Sequence, residues 1–323
     1  MNDSNEPIHS SDQIINSAAR LSVSGKKKMV AVAAAQDIDV LRALASARAD
    51  KILDATLFGD KGLIEKMAEE NNIDIYAFDI VNEPDVKTAT HAAVKMAAEG
   101  KADVIMKGFV STSALLKTVL SKEFNLRTQN TLSHVAVLDI PGYHKLLSVT
   151  DGGMVVRPDL EQKIQILQNA ILVGRALRLN PVKVAVSGTV DGFVEFDKAA
   201  ADCKELMERI EKNIPEDVTI QGPLTLDAAT SKKIAQIKRL TGPVVGDADI
   251  YLMHTIEECN IVAKALINFA DAVFAGVIVG AKIPVSLVSR TDTVKNKKAS
   301  VSLACQIAEY YKTHNQIQQG GTK

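Results

Sequence analysis

The chain has 323 residues, 46% of them hydrophobic and 24% charged, with a formal net charge of −1 and only 4% aromatic residues. That is apolar material for one large α/β unit or two domains, and it excludes a nucleic-acid footprint built on phosphate contacts or base stacking. Cys203, Cys259 and Cys305 are far apart in the chain and read as free thiols of a reducing compartment. The six histidines stand singly, without metal-ligand spacing, so no metal site is expected. The opening "MNDSNEPIHSSDQ" is polar and acidic, unlike a signal peptide, and no apolar run nears the roughly 20 residues of a membrane span. A cytoplasmic protein is expected.

Strand patterns at Met29–Ala35, Ala55–Gly59, Ile73–Phe78 and Asp103–Phe109 alternate with helical patterns such as "DKGLIEKMAEENN" and "EPDVKTATHAAVKMAAEG". The second of these opens on acidic residues and closes on glycine, as a helix should. The alternation implies a largely parallel, doubly wound α/β sheet. Around Pro141–Pro158 the rhythm changes, where "SHVAVLDI" and "HKLLSVTD" flank the turn signal "PGY". A long helix over Leu160–Leu179 follows, and then a second series: "VKVAVSG", a helix over Asp197–Lys212, "VTIQGPL", "DIYLMH", a helix over Ile256–Phe269 and "AVFAGVIVG". A domain boundary is therefore expected near residue 150. Residues 1–150 would form a first α/β domain, completed by 284–323, and 151–283 a second. The tail "NQIQQGGTK" reads as disordered.

Several segments carry chemistry. "MKGFVSTSALLKTVL" (Met106–Leu120) is a strand, a glycine turn and a helix opening with Ser111, Thr112 and Ser113. Gly108 would let the backbone approach a ligand, and Lys107 with the helix N-terminus supplies positive potential. This is a phosphate cradle in outline, though not a Walker loop; the same hydroxyls serve equally as helix caps. A polar loop with Arg127, Thr128, Asn130, Ser133 and His134 faces either solvent or a ligand. Asp151, Gly152 and Gly153 end a strand as a hinge or a tight turn. Asp227, Asp247 and Asp249 surround two further strands, as metal ligands, as an acid and base, or as caps and turns.

"PVSLVSRTDTVKNKKASVSLA" (Pro284–Ala304) is a short buried strand ending at Ser289, then Arg290 and Asp292, then a helix with Thr293 as N-cap. Open α/β sheets bind ligands at the carboxyl ends of their strands. Ser289 and Arg290, beside a helix N-terminus, suit an anion. Arg290 and Asp292 read either as a surface salt bridge of little consequence or as an anion-and-base pair.

In this order, "MKGFVSTSALLKTVL", "LRTQNTLSHVAV", "VTDGGMVVRPDLEQK", "GPLTLDAATS", "GDADIYLM", "CNIVAKAL" and "AGVIVGAKIPVSLVSRTDTVKNKKASVSLA" resemble the phosphate acetyl/butyryl transferase family. The likeness spans roughly Ala102 to Ala304, and the length fits the shorter butyryl branch. The resemblance implies reversible transfer of a short acyl group, butyryl or acetyl, between coenzyme A and inorganic phosphate. Coenzyme A is then a substrate, and no tightly bound cofactor is implied. It also implies two doubly wound α/β domains with a cleft between them, similar to the isocitrate/isopropylmalate dehydrogenase-like fold, in a homodimer or higher homo-oligomer. It carries over Ser289 to the reacting carbonyl and Arg290 to the phosphoryl group, with Asp292 the nearest candidate for a base. Thr112, Ser113 and Ser133 would line the phosphate pocket, to which the local reading adds Lys107, Gly108 and Arg127. Direct thiolate attack in a ternary complex needs no enzyme nucleophile, in agreement with the scattered cysteines. Two other readings stand beside this one. One is a non-catalytic paralogue that binds acyl-CoA or acyl phosphate. The other is a metal- and NAD-dependent dehydrogenase on the similar fold, for which the isolated histidines and missing nucleotide fingerprint give little support.

Overall fold

The computed structural model describes residues 6–192, 198–210 and 214–314. The tail expected to be disordered, and both ends of the helix expected over Asp197–Lys212, lie outside the described residues. The chain divides into two compact units: unit 1 is Met1–Ser11 with Thr131–Phe274, and unit 2 is Asp12–Asn130 with Ala275–Lys323.

In chain order the elements are α1 (Ser11–Leu21), β1 (Lys28–Ala33), α2 (Ile38–Ala49), β2 (Leu53–Gly59), α3 (Lys61–Glu70), β3 (Asp79–Asn82), α4 (Val86–Ala98), β4 (Val104–Lys107) and α5 (Thr112–Val119). Unit 1 continues with β5 (Ser133–Asp139), β6 (Leu146–Thr150), α6 (Leu160–Ala176), β7 (Val182–Ser187), α7 (Lys198–Ile210), β8 (Val218–Leu224), α8 (Leu226–Thr230), α9 (Lys232–Ile237), β9 (Ile250–Leu252) and α10 (Ile256–Phe269). β10 (Val273–Val279), β11 (Val285–Ser286) and α11 (Val294–Thr313) follow.

In unit 2 the strand order is β3-β2-β1-β4-β11-β10. All neighbours are parallel except β10 and β11. The central strands read as continuous apolar runs because both faces are covered: Val30, Val32, Val104, Ile105 and Met106 are fully buried. Polar side chains start the helices, Asp37 for α2, Asp60 for α3, Asp85 for α4, Ser111 for α5 and Thr293 for α11, each accepting from a backbone N–H of the first turn. The register sets Ala33 of β1 beside Lys107 of β4, and Ser286 of β11 beside Met106. Three parallel strands therefore end together.

One expected strand is absent. Ile73–Phe78 forms turns, and the edge strand is β3, whose pairing with β2 begins at Asp79 opposite Thr56. Ile75 and Phe78 are buried, but the Phe78 N–H donates to the Ile75 carbonyl at 2.9 Å and Tyr76 is 97% exposed. The apolar alternation there is a local turn packing its own side chains.

Unit 1 has the order β5-β6-β9-β7-β8, with β5 and β6 antiparallel and the others parallel. The changeover between units comes at Thr131, earlier than residue 150, because the β5–β6 hairpin is hydrogen-bonded to β9, Ser148 lying opposite Ile250. The return comes at Ala275, earlier than 284, because β10 pairs with β11, Val277 opposite Ser286. The inner side of α10 buries Cys259 and Ala263 against Tyr251 and Phe274.

Candidate functional site

Lys107, the last residue of β4, is 5% exposed. Gly108 follows, and its amide donates to the Ala33 carbonyl at 3.0 Å, while the Phe109 amide donates to Ala34 at 2.6 Å. A Cβ at 108 would lie 2.2 Å from the Ala34 carbonyl oxygen, a separation no side chain tolerates. The demand for glycine thus comes from the end of β1, not from a ligand. The Ser111 hydroxyl caps α5, accepting from the Ala114 amide at 3.1 Å, and lies 3.2 Å from the Ser113 hydroxyl. Capping falls to Ser111, and the Thr112 hydroxyl makes no hydrogen bond among the described residues.

Beside β4, the chain leaving β11 forms a tight turn. The Ser289 amide donates to the Asp292 carboxylate at 2.5 Å, and the Asp292 amide returns to the Ser289 carbonyl at 3.2 Å. The Ser289 hydroxyl lies 3.1 Å from that of Thr291. Beneath the turn, Lys297 of α11 is fully buried, and its ammonium donates to the Asp292 carbonyl at 2.8 Å and approaches that of Arg290 at 3.5 Å. Arg290 itself is exposed, its guanidinium carbon 4.6 Å above the centre of the Phe109 ring. Asp292 therefore holds the turn through a backbone amide rather than forming a salt bridge with Arg290.

The electrostatics follow from these placements. Burial pushes the Lys107 ammonium below its ordinary pKa, and neighbouring Arg290 and Lys297 push the same way; Asp37 and Asp292 offset this in part. Among the described residues its ammonium makes one hydrogen bond, a long one of 3.4 Å to the Gly108 carbonyl. Asp37 is occupied by the Asp39 and Val40 amides at 3.1 and 3.0 Å. Near the same strand ends, Gln36 is 7% exposed, and its side-chain oxygen is buried without a hydrogen-bond partner among the described residues.

Of the residues singled out from sequence, Lys107, Gly108, Thr112, Ser113, Arg127, Ser289, Arg290 and Asp292 all belong to unit 2. Strand pairing and the Arg290–Phe109 contact bring the β4 and β11 ends together. Arg127 lies exposed in the loop after α5. Ser133 belongs to unit 1, where its fully buried hydroxyl accepts from the Asn169 side-chain Nδ2 at 2.8 Å. Asp151 holds a tight turn, its carboxylate accepting from the amides of His134, Gly153, Met154 and Val155. Burial pushes its pKa up, against those bonds. Asp247 and Asp249 pair with Lys145, and Asp227 pairs with Lys238. Lys297 escaped the sequence reading because a lysine in "VKNKKAS" reads as solvent-facing. Its spacing to Val294, Val301 and Ala304 nevertheless sets it on the helix's apolar face.

Fold and site together define an α/β protein with lysine and arginine side chains gathered at the carboxyl ends of parallel strands. A family model described as "Phosphate acetyl/butaryl transferase" matches residues 83–305, and the chain belongs to that family. It is 39% identical over 285 residues to a phosphate butyryltransferase of Clostridium acetobutylicum, covering 88% of this chain and 95% of the relative. A phosphate acetyltransferase of Thermotoga maritima is 33% identical, over 88% of this chain and 96% of its own. Among solved structures, a branched-chain phosphotransacylase from Enterococcus faecalis superposes with a TM-score of 0.78 at 31% identity, covering 87% of this chain and 99% of that one.

Proposed function

We propose that the protein is a phosphate acyltransferase, which moves a short acyl group reversibly between coenzyme A and inorganic phosphate in a ternary complex. One observation carries the placement of the reaction. The β4 and β11 ends gather Lys107, Arg290 and Lys297, while the two carboxylates that face Lys107 are already bonded to backbone amides. The exposed Arg290 guanidinium, with no carboxylate partner among the described residues, is left for an anion.

A coenzyme A thiol has a pKa of roughly 8.5, like free cysteine, so forming the thiolate at neutral pH costs about 2 kcal/mol. The thiolate attacks the acyl phosphate carbonyl, the oxyanion is held by Ser289 and nearby N–H groups, and phosphate departs against Arg290. Preorganised donors of this kind contribute about 3 kcal/mol each in acyl-transfer sites. Thr112, Ser113 and Arg127 complete the phosphate side in this reading. The cytoplasm is its setting, and a homodimer its assembly. The latter is supported by the exposed apolar face of α10, where Ile261 and Phe269 are 67% and 89% exposed.

One observation favours a second reading, a protein that binds acyl-CoA or acyl phosphate without turnover: the Asp292 carboxylate, the nearest candidate for a base, is engaged by the Ser289 amide. Thiol release from acetyl- to isovaleryl-CoA, with and without phosphate, separates the two. Phosphate-dependent release is the expected outcome, and the best substrate fixes the chain length. Release absent with every acyl-CoA, from folded protein that still binds coenzyme A, would establish the binding paralogue instead.

A further inference from the structure

The acyl-transfer reading of the site leaves one atom without a carrier. Coenzyme A gives up a proton, and the phosphate that leaves when the acyl C–O bond breaks would be a trianion, far too basic to depart unprotonated near neutral pH. A group able to take the first proton and hand it on must lie beside the phosphoryl position. Asp292 and Asp37 are the carboxylates facing this region, and both accept backbone amides. Ser289 and Thr291 hydroxyls lie against each other, and a guanidinium has no acceptor atom to take a proton.

Lys107 differs from all of these. It ends β4 in the row beside Ala33, buried, and its one hydrogen bond among the described residues is the long one to the Gly108 carbonyl. Two residues on, Phe109 carries the Arg290 guanidinium on its ring. The charged groups facing Lys107 are Asp37 from the β1–α2 connection, Arg290 and Asp292 from the turn after β11, and Lys297 from α11. Two cations and two carboxylates face it, and burial lowers its pKa, so the ammonium gives up its proton more readily than an exposed lysine does.

We propose that Lys107 is the proton carrier of the reaction. As a neutral amine it takes the thiol proton while sulfur bonds to the carbonyl carbon. As an ammonium it gives that proton to the phosphate oxygen as the C–O bond breaks. The amine is regenerated neutral, the products are acyl-CoA and hydrogen phosphate, and no further reactant is needed. Run backwards, the same neutral amine takes the proton of hydrogen phosphate and returns it to the departing thiolate.

The inference rests on the acyltransferase reading, and Lys107→Arg distinguishes it from a simple charge role. Arginine sets a fixed positive charge at this position and cannot give up its proton. Lys107→Arg is expected to lose at least 100-fold in kcat, within the usual range for general acid–base catalysis, while its KM for phosphate stays within threefold. Lys107→Met should lose kcat and also raise that KM. Lys107→Cys followed by aminoethylation, which restores a less basic amine, should recover activity with the rising limb of the pH–rate profile moved to lower pH. Should Lys107→Arg turn over within threefold of the wild type, or should aminoethylation restore nothing in folded protein, Lys107 is not the carrier, although phosphate-dependent turnover by the wild type would leave the acyltransferase reading intact. A wild type without such turnover would remove both.

Discussion

Around the starts of β6, β7 and β9 in unit 1, Lys145 and Lys183 meet Asp247 and Asp249. Around the ends of β4 and β11 in unit 2, Lys107, Arg290 and Lys297 meet Asp37 and Asp292. The inventories are close, yet the bonding differs. Lys145 lies 2.7 Å from Asp249 and 3.0 Å from Asp247, and donates to the Asp247 carbonyl at 2.8 Å. Lys183 and His144 close on the same Asp247 carboxylate. There, lysine charge is matched by carboxylate. In unit 2 the carboxylates turn to backbone amides, and Arg290 forms no salt bridge among the described residues. The two clusters differ in whether lysine side chains or backbone amides hold the carboxylates.

The largest way to break the comparison is Lys145→Met. Removing one partner of a buried pair strands the other's charge, and a loss of about 3–5 kcal/mol in unfolding free energy is expected, with kcat measured well below the melting temperature unchanged. The pH dependence sharpens it. Burial alone would raise the Asp247 carboxyl, but bonds from Lys183, Lys145 and His144 outweigh burial and hold it well below the usual range. A carboxylate lowered in this way stabilises fully above its unfolded pKa of about 4 and ceases to do so as the pH falls through the folded value. Thermal melts should therefore lose stability in acid below that point, and Lys145→Met should lose less.

In unit 2 the charge change should act on turnover. Arg290→Ala is expected to lower kcat/KM for phosphate-dependent thiol release by about 100- to 1,000-fold, roughly 3–4 kcal/mol of transition-state stabilisation. Near-normal turnover would mean that the cationic cluster does not hold the reacting phosphoryl group. The smallest effect belongs to Phe109→Leu. It removes a cation–π contact worth about 0.5–1 kcal/mol at an exposed site and should raise the KM for phosphate roughly two- to fivefold. A loss as large as that of Arg290→Ala would assign the ring a role of its own.

The sequence made much of this legible, for local reasons. The α10 boundaries at Ile256 and Phe269 and the Thr293 cap follow from periodicity and capping chemistry, both of which act within a few residues. Ile73–Phe78 misled because alternation records burial and not pairing. The strand expected to end at Ser289 stops at Ser286, so Ser289 and Arg290 lie in the turn beyond it, and the engagement of Asp292 by the Ser289 amide depends on that turn's closed geometry. Gly108 could be marked as special, yet its reason lies at Ala34, some seventy residues earlier in the chain. Such neighbours are set by topology, which no short motif encodes.

Lys297 has a consequence for the economy of the catalytic cycle. Its ammonium, sunk within α11, holds the carbonyl side of the 289–292 turn from below, while the Asp292 carboxylate holds the Ser289 amide. The loop that presents Ser289 and Arg290 is thus tied down before any substrate arrives. Its conformational freedom is surrendered once, when the chain folds, and is not surrendered again at each turnover.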